Sequence, residues 1–125
     1  MKKDEIERIK RLVEEKLNTF SNLEEFTIGK ANDCEKRFKT YYLKKGYTAY
    51  TILAEGNAEE INSVEKTLIE FFRKHPTLGK TCANINYGGG GSSEATQLYV
   101  AAKYILKKDT DLYDDEGWIT INDIK

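Results

Sequence analysis

Histidine is nearly absent from this chain, His75 being the only one, and the two cysteines, Cys34 and Cys82, form no CxxC pair. A tetrahedral zinc site therefore lacks its ligands. A disulfide framework lacks its cysteines, so the two thiols read as reduced and structural. No apolar run approaches the roughly 20 residues that a membrane-spanning helix needs. The first residues, from Met1 to Leu12, are charged throughout and carry no apolar core of a secretory signal. The expectation is a cytoplasmic protein with no membrane partner. Charge of one sign is lacking too: 20 basic side chains face 21 acidic ones, for a net charge of −1.

What is present suits one ordinary globular domain over residues 1–125, with 39% hydrophobic and 33% charged residues. Charge is unevenly distributed. Between Phe26 and Tyr50 stand six basic residues (Lys30, Lys36, Arg37, Lys39, Lys44, Lys45) and two acids (Asp33, Glu35). Beyond Tyr104 the balance reverses, with Asp109, Asp111, Asp114, Asp115, Glu116 and Asp123. A local basic face can meet phosphates even when the total charge is near zero, although such a run is more often a solvated helix face.

Hydrophobic spacing predicts a helix over 3–17, where Ile6, Ile9, Leu12, Val13 and Leu17 recur at helical intervals. A short strand follows at Phe26–Ile28, closed by Gly29. Asn32 or Asp33 can cap the next helix, which carries Cys34, Phe38, Tyr41 and Tyr42 on one side and ends at Gly46. Tyr47 to Leu53 is strand-like, and a long helix runs from about Ala58 to Lys74, stopped by Pro76. Residues 96–106 fit either a strand or a helix; central Tyr99 and Val100 favour the strand. Trp118 to Ile121 alternates like one more strand. The fold expected is α/β (α+β), a small mixed or antiparallel sheet flanked by helices.

Two polar residues fall on apolar faces. Glu65 shares a stripe with Ala58, Ile61, Ile69 and Phe72, and Arg37 lies between Cys34, Phe38 and Tyr41. A buried carboxylate is costly unless paired or bound to metal. Either side chain could instead sit at the edge of its face and reach water.

The middle of the chain resembles the GIY-YIG endonuclease superfamily over roughly Phe26 to Gly91. Phe26-Thr27-Ile28-Gly29 is similar to the family's YIG strand, Arg37 stands where the family carries its arginine, and Glu65 stands where a helix glutamate binds a divalent metal. No tyrosine opens the YIG-like strand, and no GIY strand precedes it. A circular permutation would supply that strand from Leu98–Lys103, with Tyr99 as its tyrosine. The resemblance implies a metal-dependent phosphodiester hydrolase acting on nucleic acid. Glu65 would hold Mg²⁺ or Mn²⁺, Arg37 would hold the scissile phosphate, and Tyr99, Tyr41 or Tyr42 would orient or deprotonate water. Lys30 would add charge near the phosphate, and Asn86 or Asn84 would brace the site. A catalytically inactive module of the same fold, an accessory protein that binds a protein or small ligand, is the alternative. The run Gly88–Ser93 is no phosphate-binding loop, because no Gly-Lys-Ser/Thr follows it.

Overall fold

The computed structural model describes residues 2–20, 22–84, 94–104 and 118–120. Asn86, the glycine run at 88–91, the acidic segment 109–116 and Ile121 lie outside the described residues.

Helix α1 spans Lys3–Asn18 and buries Ile9, Val13 and Leu17. Strand β1 spans Leu23–Ala31, longer at both ends than its apolar triplet suggests. A composite helical segment follows: α2 at Cys34–Arg37, a π-helical turn at Phe38–Tyr42 and a 3-10 turn at Leu43–Lys45. Asp33 rather than Asn32 caps it, accepting a hydrogen bond from the Lys36 amide at 3.1 Å. Gly46 ends it in the left-handed region at φ 86°, where a side chain would be strained.

Strand β2 spans Ala49–Glu55 and helix α3 Ala58–Arg73. The α3 start is a reciprocal cap. Asn57 Oδ1 accepts from the Glu60 amide at 2.9 Å, and Asn57 Nδ2 donates to Glu60 Oε1 at 2.7 Å. Strand β3 spans Gln97–Tyr104, so the ambiguous stretch is a strand. Strand β4 is the pair Ile119–Thr120.

The sheet is four-stranded with the order β1-β3-β2-β4, and every pairing between named strands is antiparallel. The fold is thus α+β with an antiparallel sheet. The late strand β3 lies at the centre, where Val100 pairs with Ile28 of β1 on one side and Thr51 of β2 on the other. The outer side of β1 is held by a parallel bridge between Phe26 and Cys82 and by the Asn84 side chain. The Asn84 amide accepts from the Ile28 amide and donates to the Ile28 carbonyl, both at 2.9 Å, so it substitutes for a further strand residue. The bracing expected of Asn84 therefore falls on the β1 backbone.

Strand alternation sorts the molecule into two layers. Phe26 and Ile28 of β1, with Leu98, Val100 and Ala102 of β3, pack against the buried faces of α1 and α3. Tyr99, Ala101 and Tyr50 point to the opposite face, beneath Cys34, Phe38 and Tyr42 of the composite segment. Two helices cover one face, and a single short segment covers the other.

The π turn corrects one expectation. Cys34, Phe38 and Tyr42 are buried, but Tyr41 is 39% exposed instead of sharing their face. The turn is closed by the Leu43 amide bonding to the Phe38 carbonyl, an i→i+5 bond that widens the helix. Spacing of four then follows the buried stripe, and Tyr41 turns outward.

Candidate functional site

The residues singled out from the sequence gather in two places, with the sheet between them. On the α3 side, Lys30 projects from β1 and its ammonium donates to Asn62 Oδ1. Glu65 Oε1 lies 3.5 Å from Lys30 Nζ. Glu65 is 0% exposed and Lys30 7%. Neither carboxylate oxygen has a hydrogen-bond donor at normal distance among the described residues. Burial pushes the Glu65 carboxyl up to about 7, against the opposing pull of Lys30.

This setting bears on the metal-holding role that the resemblance implies for Glu65. A magnesium ion keeps several waters and needs a site open to solvent, whereas this carboxylate is closed off and already faces an ammonium. Among the described residues no group of three or more His, Cys, Asp or Glu side chains gathers anywhere. The residues present do not fit a hydrated divalent ion at Glu65, and Lys30 serves as the counter-charge of a buried pair rather than as a phosphate contact.

The second cluster lies on the opposite face. Lys30 pairs in register with Leu98, and its neighbour Gly29 pairs with Tyr99. Adjacent strand residues project to opposite faces, so Tyr99 and Glu65 stand on either side of the sheet. Gly29 is what lets the Tyr99 ring lie flat. A Cβ at position 29 would meet the Tyr99 hydroxyl oxygen at 2.4 Å and Cζ at 2.5 Å. The glycine that carries the family resemblance thus has a packing reason of its own.

Tyr99 is 3% exposed, and its hydroxyl shares a 2.7 Å hydrogen bond with the Tyr42 hydroxyl. Burial, reinforced by Tyr42, raises its pKa far above the ordinary phenol range, with Arg37 opposing the shift. Tyr42 is raised as well, again chiefly by burial. Burial thus disfavours the phenolate form of both side chains. Tyr99 lies close enough to Arg37 to feel its charge, and it is buried beneath the composite segment.

Above Tyr99 lies a stripe that is exposed at Tyr41 and Lys45 and half-buried at Arg37, whose Nε is buried. The Arg37 guanidinium carbon sits 4.4 Å from the Tyr41 ring centroid, and Lys45 Nζ sits 4.1 Å from it. Lys45 Nζ also donates to the Tyr41 hydroxyl at 2.7 Å. That bond, with the charges of Lys45 and Arg37, lowers the Tyr41 pKa. Arg37, Tyr41 and Lys45 succeed one another at intervals of four, the spacing that stacks side chains along one helix face. Lys36, Lys39 and Lys44 are exposed on the same segment, where Glu35 is the one acid. Glu35 lies 3.9 Å from Lys39. Arg37 and Lys45 have no carboxylate within ion-pair distance among the described residues.

Lys45 and Asn62 were not assigned roles from the sequence. Lys45 was visible as the third member of the four-residue spacing, whereas Asn62 carries no signal apart from its place one turn before Glu65. Comparison with protein-family models, curated proteins and solved structures finds no match.

Proposed function

We propose that this protein is a nucleic-acid-binding module that holds phosphates on the Arg37–Lys45 stripe and does not hydrolyse them. One observation carries the reading: a row of cations on a single helical segment, exposed at Lys36, Lys39, Lys44 and Lys45 and half-buried at Arg37, with Arg37 and Lys45 free of carboxylate partners among the described residues. Arginine offers a planar fork that matches phosphate, and lysine adds point charge. Lysine and arginine bound to phosphates release condensed counterions, so the affinity should depend steeply on salt. Hydrolysis is not part of the proposal: Arg37 and Glu65 lie on opposite sides of the sheet, and the one acid on the stripe's own segment, Glu35, lies 3.9 Å from Lys39. No helix among the described residues is long and apolar enough to cross a membrane, and the stripe is read as a surface for soluble polyanions.

The test is fluorescence anisotropy with labelled single-stranded and duplex oligonucleotides at about 50 mM salt. Dissociation constants on the order of 10⁻⁴–10⁻⁶ M are expected, the range of sequence-independent binding. Arg37→Ala and Lys45→Ala should each weaken binding by about tenfold and lower the salt slope by about one phosphate. Glu65→Gln should leave the affinity unchanged. Binding that ignores both cation substitutions would sink the reading. Plasmid cleavage in Mg²⁺ that is lost in both Glu65→Gln and Arg37→Ala would restore the hydrolase in its place.

A further inference from the structure

Tyr41 differs from every other described tyrosine. It is 39% exposed, whereas Tyr42, Tyr47, Tyr50, Tyr99 and Tyr104 are 7% exposed or less. Its hydroxyl, 2.7 Å from Lys45 Nζ, is turned toward the solvent-facing cations rather than into the core. Arg37 lies on its ring from the preceding turn. A group attached to that oxygen enters a cage of positive charge without displacing anything buried.

We propose that Tyr41 is a phosphorylation site whose modification switches off the polyanion-binding stripe; the switch rests on the reading of that stripe given above. In the reaction, Tyr41 Oη attacks the terminal phosphorus of a nucleoside triphosphate held by a protein tyrosine kinase. The bond from that phosphorus to its bridging oxygen breaks, nucleoside diphosphate leaves with the electron pair, and the phenolic proton passes to the kinase. The product is a phosphate ester carrying nearly two negative charges at neutral pH. Lys45, already at the hydroxyl, and Arg37, with its planar fork, then form charge-assisted bonds to it. The same two cations that would meet an oligonucleotide are occupied, and the new dianion repels the incoming backbone. Lys45 also activates the phenol toward electrophiles, because stabilising the phenolate increases the fraction able to attack.

Two measurements on the full chain test this. The first is limited acetylation with N-acetylimidazole, mapped by peptide mass spectrometry. Among the tyrosines named above, Tyr41 should be acetylated first, and several-fold more slowly in Lys45→Ala. Equal or earlier labelling of Tyr42, Tyr47, Tyr50, Tyr99 or Tyr104 would overturn the assignment. So would a rate indifferent to Lys45. The second is oligonucleotide anisotropy on protein carrying phosphotyrosine at position 41, introduced by codon suppression, with the unmodified protein as the reference. Phosphotyrosine should weaken binding on the order of 100-fold at about 50 mM salt, and phosphatase treatment should restore it. Phosphorylated protein that binds within threefold of wild type sinks the switch alone. Failure of the unmodified protein to bind any oligonucleotide sinks the stripe and the switch together.

Discussion

Lys30→Met should cost about 3–5 kcal/mol of stability at pH 9 and little or nothing at pH 4.5, because it leaves Glu65 buried without its counter-charge. The sign follows from proton linkage. The Glu65 carboxyl has its folded pKa raised from 4.5 to about 7. Between those values the folded state holds a proton that the unfolded chain releases, so stability falls as pH rises. In the wild type this loss amounts to about 3 kcal/mol and levels off near pH 7, where Lys30 permits ionisation. Without Lys30 the folded carboxyl resists ionisation further, and the loss continues above pH 7. Below pH 4.5 Glu65 is neutral in both states, and methionine then forfeits only the bond from Lys30 to Asn62, a small loss beside that at pH 9. Urea denaturation at pH 4.5, 7 and 9 measures the trend. A cost for Lys30→Met that is the same at all three values would mean that Glu65 is not the group responsible. The double variant Lys30→Met/Glu65→Leu should recover most of the loss at pH 9, since a well-packed apolar pair is often as stable as a buried ion pair.

Gly29→Ala should destabilise the fold by about 2–3 kcal/mol, although alanine is ordinarily the better strand residue. The added methyl would occupy the position of the Tyr99 ring, and the ring is held by the Tyr42 hydrogen bond and by Ala101 and Tyr50 in the same layer. Relief requires Tyr99 to move and the Tyr42–Tyr99 bond to break. In a Tyr99→Ala background, itself costing about 3–5 kcal/mol, the same methyl meets no ring. Gly29→Ala should then be neutral or stabilising by about 0.5–1 kcal/mol. A thermodynamic cycle of the four proteins by urea denaturation gives the coupling directly. Additivity within about 0.5 kcal/mol would show that the ring is not what the glycine accommodates.

The amphipathic stripes of α1 and α3 were legible residue by residue. Ile9, Val13 and Leu17, then Ile61, Leu68, Ile69 and Phe72, are buried as their spacing predicts, because helix periodicity and burial are the same pattern read twice. Asp33 and Gly46 likewise mark the ends of their segment through local backbone chemistry. The outward turn of Tyr41 was not legible. It depends on a π turn that shifts the helical phase, and no local residue pattern distinguishes that turn from ordinary helix. The placement of Asn84 was not legible, since only the packed chain brings residue 84 beside the Ile28 backbone.

By themselves, the residues along the chain determined the elements, their buried faces and the polar side chains that would have to find partners. Only the tertiary structure decided which partners those were. Glu65 and Arg37 look like companions in sequence because both stand on apolar helix faces. Strand order and pleat set them apart, since β1 sends Lys30 to one side of the sheet and leaves its neighbour Gly29 as space for Tyr99 on the other. Two adjacent residues on one strand point in opposite directions, and helical spacing carries no information about which face of a sheet a helix will cover.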